Sequence, residues 1–185
     1  PFSRTLAIGV LLMLLFTACS SQTPNSASAP SASPTPSPSA EQAKEPTARV
    51  FKDIAGREVT IPTHPKRILV NQFMGHLLAV GVKPVGATKA QLNQFNNSSF
   101  LKPLGLSDGV EDLGDTISLE KALLLSPDLI IVQQDSANGN KDLDALSKIA
   151  PTVVLGYGSK TMFDQLQEIA DIAGVTDTAT QWIAD

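Results

Sequence analysis

Two glutamines, Gln133 and Gln134, close the apolar run DLIIV at residues 128–132, and a Gly-Tyr-Gly-Ser turn at 156–159 carries the single tyrosine, Tyr157. A carboxamide both donates and accepts, so this amide pair suits the carbonyl and hydroxyl oxygens of a small ligand. An ordinary strand-to-loop transition carries the same residues. Tyr157 either stacks on a ligand or fills a cleft wall. Lys89 and Lys160 follow apolar segments and offer cations to an anionic ligand, although lone lysines also serve as solvated surface. Met74 and His76, on either side of Gly75, are residue types that ligate haem iron. His64, between Thr63 and Pro65, reads as a surface residue.

Catalysis and metal chemistry find less to work with. Ser, Asp and His are present, but no G-x-S-x-G elbow occurs. The Gly-Tyr-Gly-Ser turn lacks the spacing and terminal Lys-Ser/Thr pair of a phosphate loop. Two histidines and one cysteine, with no HxxH or CxxC, make direct metal coordination an unexpected role. The residues point to binding, with no cofactor of the protein's own.

Those side chains need elements to hold them. VFKDIAGREVTIP, residues 50–62, reads as a small β-hairpin around Gly56. RILVN at 67–71 is a buried parallel strand by its length and β-branched content, and MGHLLAVG at 74–81 a short helix stopped by Gly81. KPVGA at 83–87 gives a second strand. Residues 88–112 are polar and Asn-rich, with little periodicity. Ser118 caps a helix to about Leu125, ended by Pro127. Residues 128–133 form a strand, 141–149 a short helix, Thr152–Leu155 a strand, and Ser159–Ala173 an amphipathic helix ended by Gly174. No internal repeat is visible. The expected fold class is α/β: a parallel sheet flanked by helices, preceded by a small β-hairpin. Ligands of such sheets bind at the carboxyl ends of the strands. The candidate loops are therefore Asn71–His76 with Gln72, Ala87–Gln91 with Lys89, Gly114–Thr116, Gln133–Ser136 and Gly156–Lys160.

The N-terminal segment has a different character. Arg4 precedes an eleven-residue apolar run, Leu6 to Phe16. That is short of the roughly 20 residues a membrane-spanning helix takes, and it matches a signal-peptide core. The run ends in LFTACSS at 15–21, which resembles the lipobox of bacterial lipoproteins, with Phe16 as the departure from the usual Leu, Val or Ile. The resemblance makes Cys19 the lipidated first residue of the mature chain, anchored in the bilayer by two acyl chains. Residues 20–48 hold no Leu, Ile, Val or aromatic residue, so they cannot offset their ordering entropy and read as a disordered Ser/Pro/Ala tether. Extended, the tether reaches at most roughly 90 Å. From Arg49 onward there are 12 basic and 16 acidic residues, a balance with no basic face for nucleic acid.

Three spaced segments carry a more specific resemblance: FKDIAGREVTIPTHPKRILV at 51–70, LLAVGVKPVGA at 77–87 and DLGDTISLEKALLLSPDLIIV at 112–132. They resemble the siderophore, haem and cobalamin family of periplasmic-type binding proteins. The resemblance implies two α/β lobes joined by a long rigid helix, with ligand held between them, and VTDTATQWIAD at 175–185 as the start of that helix. It divides the chain into a signal peptide at 1–18, lipidated Cys19 and tether at 19–48, an N-terminal lobe at 49–174 and the connecting helix at 175–185. The second lobe is expected beyond Asp185. The same resemblance implies a monomeric receptor on the extracytoplasmic face of a bacterial cell membrane. Such a receptor passes a ferric siderophore, hydroxamate favoured over catecholate or citrate, to an ABC permease and its ATPase.

Glu120 matches the family's acidic residue on the lobe's outer surface, which docks an arginine pocket of the permease; a carboxylate in a first helical turn also simply favours the helix dipole. The segment where haem-binding relatives carry a ligand is here Gly114-Asp115-Thr116, with no Met, His or Tyr, and cobalamin receptors carry aromatic residues where this chain has Gly114 and Gln133. The alternatives are a tethered extracytoplasmic α/β enzyme and a haem-binding receptor lobe.

Overall fold

The computed structural model describes residues 47–134 and 141–184. The signal segment, Cys19, most of the tether and the loop beyond Gln134 that includes Ser136 lie outside the described residues.

Short runs of branched aliphatic residues become strands because their side chains alternate between two faces, and here both faces are covered. β3 (Ile68–Val70), β4 (Gly86–Ala87), β5 (Glu111–Asp112), β6 (Leu129–Gln133) and β7 (Thr152–Leu155) form one sheet in the order β5-β4-β3-β6-β7. Every pairing in it is parallel. Ile68, Val70, Leu129, Ile131, Val153 and Leu155 face one core, whereas Leu69, Ile130, Val132 and Val154 face the other. The first core is completed by helices α1 (Met74–Ala79), α2 (Lys89–Asn96) and α5 (Met162–Ile172), and the second by α3 (Leu119–Leu125) and α4 (Leu143–Ser147). A final helix, α6 (Thr176–Ala184), packs on α5 through Ala179.

Close packing dictates one glycine. A Cβ on Gly86 would stand 2.9 Å from the side-chain ends of Leu69 and Leu113 and 3.0 Å from that of Leu125 on α3, so a larger residue there would make these leucines shift.

The hairpin is a separate two-stranded sheet, β1 (Ala48–Lys52) against β2 (Glu58–Pro62), antiparallel, and it opens one residue before the expected Arg49 boundary. Its turn closes the outer edge of β7. Ile54 N–H donates to the Val154 carbonyl at 3.1 Å, Val154 N–H donates to Asp53 Oδ2 at 3.3 Å, and Arg57 Nη2 donates to the Thr152 carbonyl at 2.9 Å. An edge strand left open would invite pairing with another chain.

Two expectations need correction. Residues 88–112 are structured: they hold α2, a 3-10 turn at Lys102–Leu104 and β5. The α2 stripe was hidden because one of its three buried positions, Gln91, is polar beside Leu92 and Phe95. Lys89 accordingly opens a helix instead of sitting on a loop. The last amphipathic helix starts at Met162 and not Ser159, because Thr161 is the residue whose hydroxyl accepts the Asp164 N–H, at 3.2 Å. Ser118 caps α3 as expected, accepting from Lys121 N–H.

Candidate functional site

The strand order creates a crevice. From β3 the chain passes through α1 on one face toward β4, while from β6 it passes through α4 on the other face toward β7. The carboxyl ends of neighbouring β3 and β6 therefore send their loops in opposite directions, the arrangement at which open α/β sheets bind ligands. Asn71 and Gln133 occupy those two ends. Asn71 Oδ1 accepts the Gln133 N–H at 2.7 Å, its backbone carbonyl accepts from Thr88 Oγ1 at 2.8 Å, and Gln134 N–H donates to the Leu155 carbonyl at 2.7 Å.

The loop after β3 is tightly held. Phe73 adopts left-handed backbone (φ 69°) although it is buried, a conformation costly for a bulky residue. Its ring meets Tyr157 at 5.9 Å and His76 at 5.8 Å. Tyr157 comes from the loop after β7, so this contact spans the end of β6. Tyr157 remains 59% exposed, with most of its ring available above the edge. On α2, Gln91 Oε1 accepts the Met74 N–H at 3.1 Å and its Nε2 donates to Gln72 Oε1 at 2.9 Å.

Gly114 sits at the end of β5 with φ 98°, its carbonyl accepting the Lys89 N–H at 2.8 Å, so the start of α2 adjoins the end of β5. A cavity of about 450 Å³ opens at this edge; Asn71, Thr88, Asp115 and Thr116 supply polar walls, Val132 and Leu146 apolar ones. A second cavity, about 480 Å³, lies between β2 and the amino end of β7, away from the loop cluster.

The expected residues thus separate into groups. Gln72, Gly114, Gln133, Gln134 and Tyr157 stand at the carboxyl edge. Lys89 is exposed there and makes no ion pair among the described residues. Lys160 is committed, its Nζ lying 2.7 Å from Glu168 Oε1. Met74 is fully buried in the core, which removes its thioether from any ligand. His76 is half-buried, and desolvation lowers its pKa from the ordinary value of 6.5. His64 Nδ1 lies 3.2 Å from the Gly174 carbonyl, between the hairpin and the end of α5. Glu120 is exposed in the first turn of α3, beside outward Leu123 (61% exposed) and Leu124 (78%), and has no partner among the described residues. Among the described residues, no three His, Cys, Asp or Glu side chains stand close enough to hold a metal. Sequence reading enclosed Phe73 and Gln91 in the candidate loops Asn71–His76 and Ala87–Gln91 without singling them out, although they organise the β3 loop.

A parallel sheet whose carboxyl edge gathers amides, an aromatic contact and a polar-walled cavity has the arrangement at which open α/β folds bind ligands. The chain belongs to the periplasmic binding protein family, whose profile matches residues 76–185. It is 37% identical over 177 residues to the iron(3+)-hydroxamate-binding protein YxeB of Bacillus subtilis, covering 95% of this chain and 48% of that protein. It is 39% identical over 128 residues to the iron(3+)-hydroxamate-binding protein FhuD of the same organism, covering 68% and 38% respectively. Among solved structures, unliganded FhuD2 from Staphylococcus aureus aligns with a TM-score of 0.62 and 33% identity, over 74% of this chain and 47% of that one. The chain spans about half, or less, of the length of the relatives it matches.

Proposed function

We propose that this chain is the N-terminal lobe of a ferric siderophore receptor, of hydroxamate type, that delivers its ligand to an ABC permease and ATPase without chemistry of its own. The observation that carries the reading is the set of carboxamides and the half-exposed ring at the sheet's carboxyl edge, where the charged residues of the cavity wall, Asp115, Lys141 and Asp142, are of both signs. A ferric tris-hydroxamate has no net charge and presents amide-like oxygens and apolar arms, which carboxamides and a ring can hold. A tris-catecholate complex is heavily anionic and asks for a cluster of cations, whereas among the described residues Lys160 is already paired with Glu168 and Lys141 shares the cavity wall with Asp115 and Asp142. The two Bacillus relatives named for iron(3+)-hydroxamate support the same choice. Haem finds little support with Met74 in the core and Gly114-Asp115-Thr116 at the β5 end.

Glu120 is the residue assigned to the permease, and Cys19 the anchor to the outer leaflet of the cell membrane, with residues 20–48 as tether. A Cys19→Ala chain that still incorporated an alkyne fatty acid in cells would remove the anchor from this reading. The function is tested by titrating the complete receptor, of which this chain is the first lobe, with ferrichrome, ferric citrate, a ferric tris-catecholate and haemin, read by quenching of tryptophan fluorescence and by calorimetry. Ferrichrome is expected to bind tightest; preference for haemin, or ligand turnover, would overturn the proposal.

A further inference from the structure

Gln91 is 2% exposed and lies among apolar neighbours on the buried side of α2. A buried amide is costly without hydrogen bonds, and a methionine would fill the same space with no such need. Both bonds that Gln91 makes go to one place, the loop after β3: its Oε1 takes the Met74 N–H and its Nε2 donates to Gln72 Oε1. Between those two residues stands Phe73 in its left-handed conformation. Gln91 thus clamps the loop on either side of its most strained residue.

The second bond has a chemical consequence. It occupies the carbonyl oxygen of Gln72, a partly exposed residue at the sheet's carboxyl edge. With one lone pair of that oxygen engaged and the oxygen turned to Gln91, the Gln72 Nε2 keeps two N–H donors with no partner among the described residues. A free glutamine amide turns either end outward; this one is fixed by Gln91 as a donor. We infer that Gln91 is a positioning residue that sets Gln72 to donate to the negatively polarised oxygens of a bound ferric chelate. This rests on the receptor reading above and adds a residue that determines its specificity.

The test is a double-mutant cycle on the complete receptor with ferrichrome as the probe. Gln91→Met keeps the volume and removes both bonds, whereas Gln72→Met removes the donor itself. Each single variant is expected to weaken ferrichrome binding at least tenfold, and the double variant no more than the weaker single, because Gln91 acts through Gln72. Additive losses, or an unaffected Gln72→Met, would overturn the inference. A second measurement needs no ligand and no Gln91 variant. In the ¹⁵N spectrum of the wild-type chain, the Gln91 side-chain amide is expected to be protected from hydrogen exchange and the Gln72 amide to exchange freely. Protection of the Gln72 amide would refute the orientation. If wild-type protein ignores ferrichrome while this pattern holds, the receptor reading fails and the positioning stands.

Discussion

The Asn71 carboxamide and the Gln133 backbone meet at 2.7 Å across the two strand ends where the sheet's loops diverge, joining residues 62 apart in the chain. One side chain here closes the floor of the crevice and satisfies the last donor of β6. Asn71→Leu leaves that half-buried N–H without its acceptor, at an expected cost of about 1–3 kcal/mol. Urea denaturation measures it, and Asn71→Asp, which retains an acceptor oxygen, is expected to lose less. Equal midpoints for Asn71→Leu and wild type would mean the bond contributes nothing.

The hairpin depends on a buried charge. The Asp53 side chain is inaccessible, 2.6 Å from Arg57 Nη2, and also accepts from the Arg57 and Val154 N–H groups. Asp53→Ala strips these donors of their acceptor and frees the edge of β7, with an expected loss of about 3 kcal/mol, the lower end for a broken buried pair because Arg57 is partly exposed. Thermal melting decides it, and a rise in light scattering on heating is expected alongside, as the strand edge opens.

His76 gives the stability a pH dependence. Burial beside Phe73 lowers its pKa below 6.5, so the unfolded chain binds a proton that the folded chain refuses. The stability this neutral imidazole permits is complete above the unfolded value and declines as the pH falls below it, levelling once the pH drops under the folded value. Melts from about pH 7.5 down to about pH 5 are expected to show this decline in wild type and a flatter profile in His76→Gln, since glutamine does not titrate. Parallel profiles would assign the decline to other groups.

Glu120 is exposed and unpartnered among the described residues, with Leu123 and Leu124 turned outward on the same helix. If it meets an arginine of the permease, truncation costs on the order of 2–5 kcal/mol of docking where the pair is desolvated. Glu120→Arg in the whole receptor is therefore expected to leave ferrichrome affinity unchanged while cutting uptake of radioactive iron more than Glu120→Ala does. Normal uptake by Glu120→Arg would reduce Glu120 to a carboxylate that favours its helix terminus.

Local pattern was enough for much of the lobe. β6 and β7 were legible because unbroken aliphatic runs of strand length suit a sheet covered on both faces, and Ser118 announced α3 because a hydroxyl cap acts within one turn. α2 was not legible, because its buried face includes Gln91, whose amide is tolerable only beside Gln72 and Met74. The same reason separates the site's outline from its chemistry. That ligand would meet the loops after the strands comes from strand–helix alternation alone. Which end of Gln72 faces outward, that Asn71 holds Gln133, that Met74 is core and that Tyr157 reaches Phe73 are contacts between segments far apart in sequence. Hydrogen bonds and ring contacts act over a few ångströms, and only the folded sheet, with β3 set between β4 and β6, brings those groups within range.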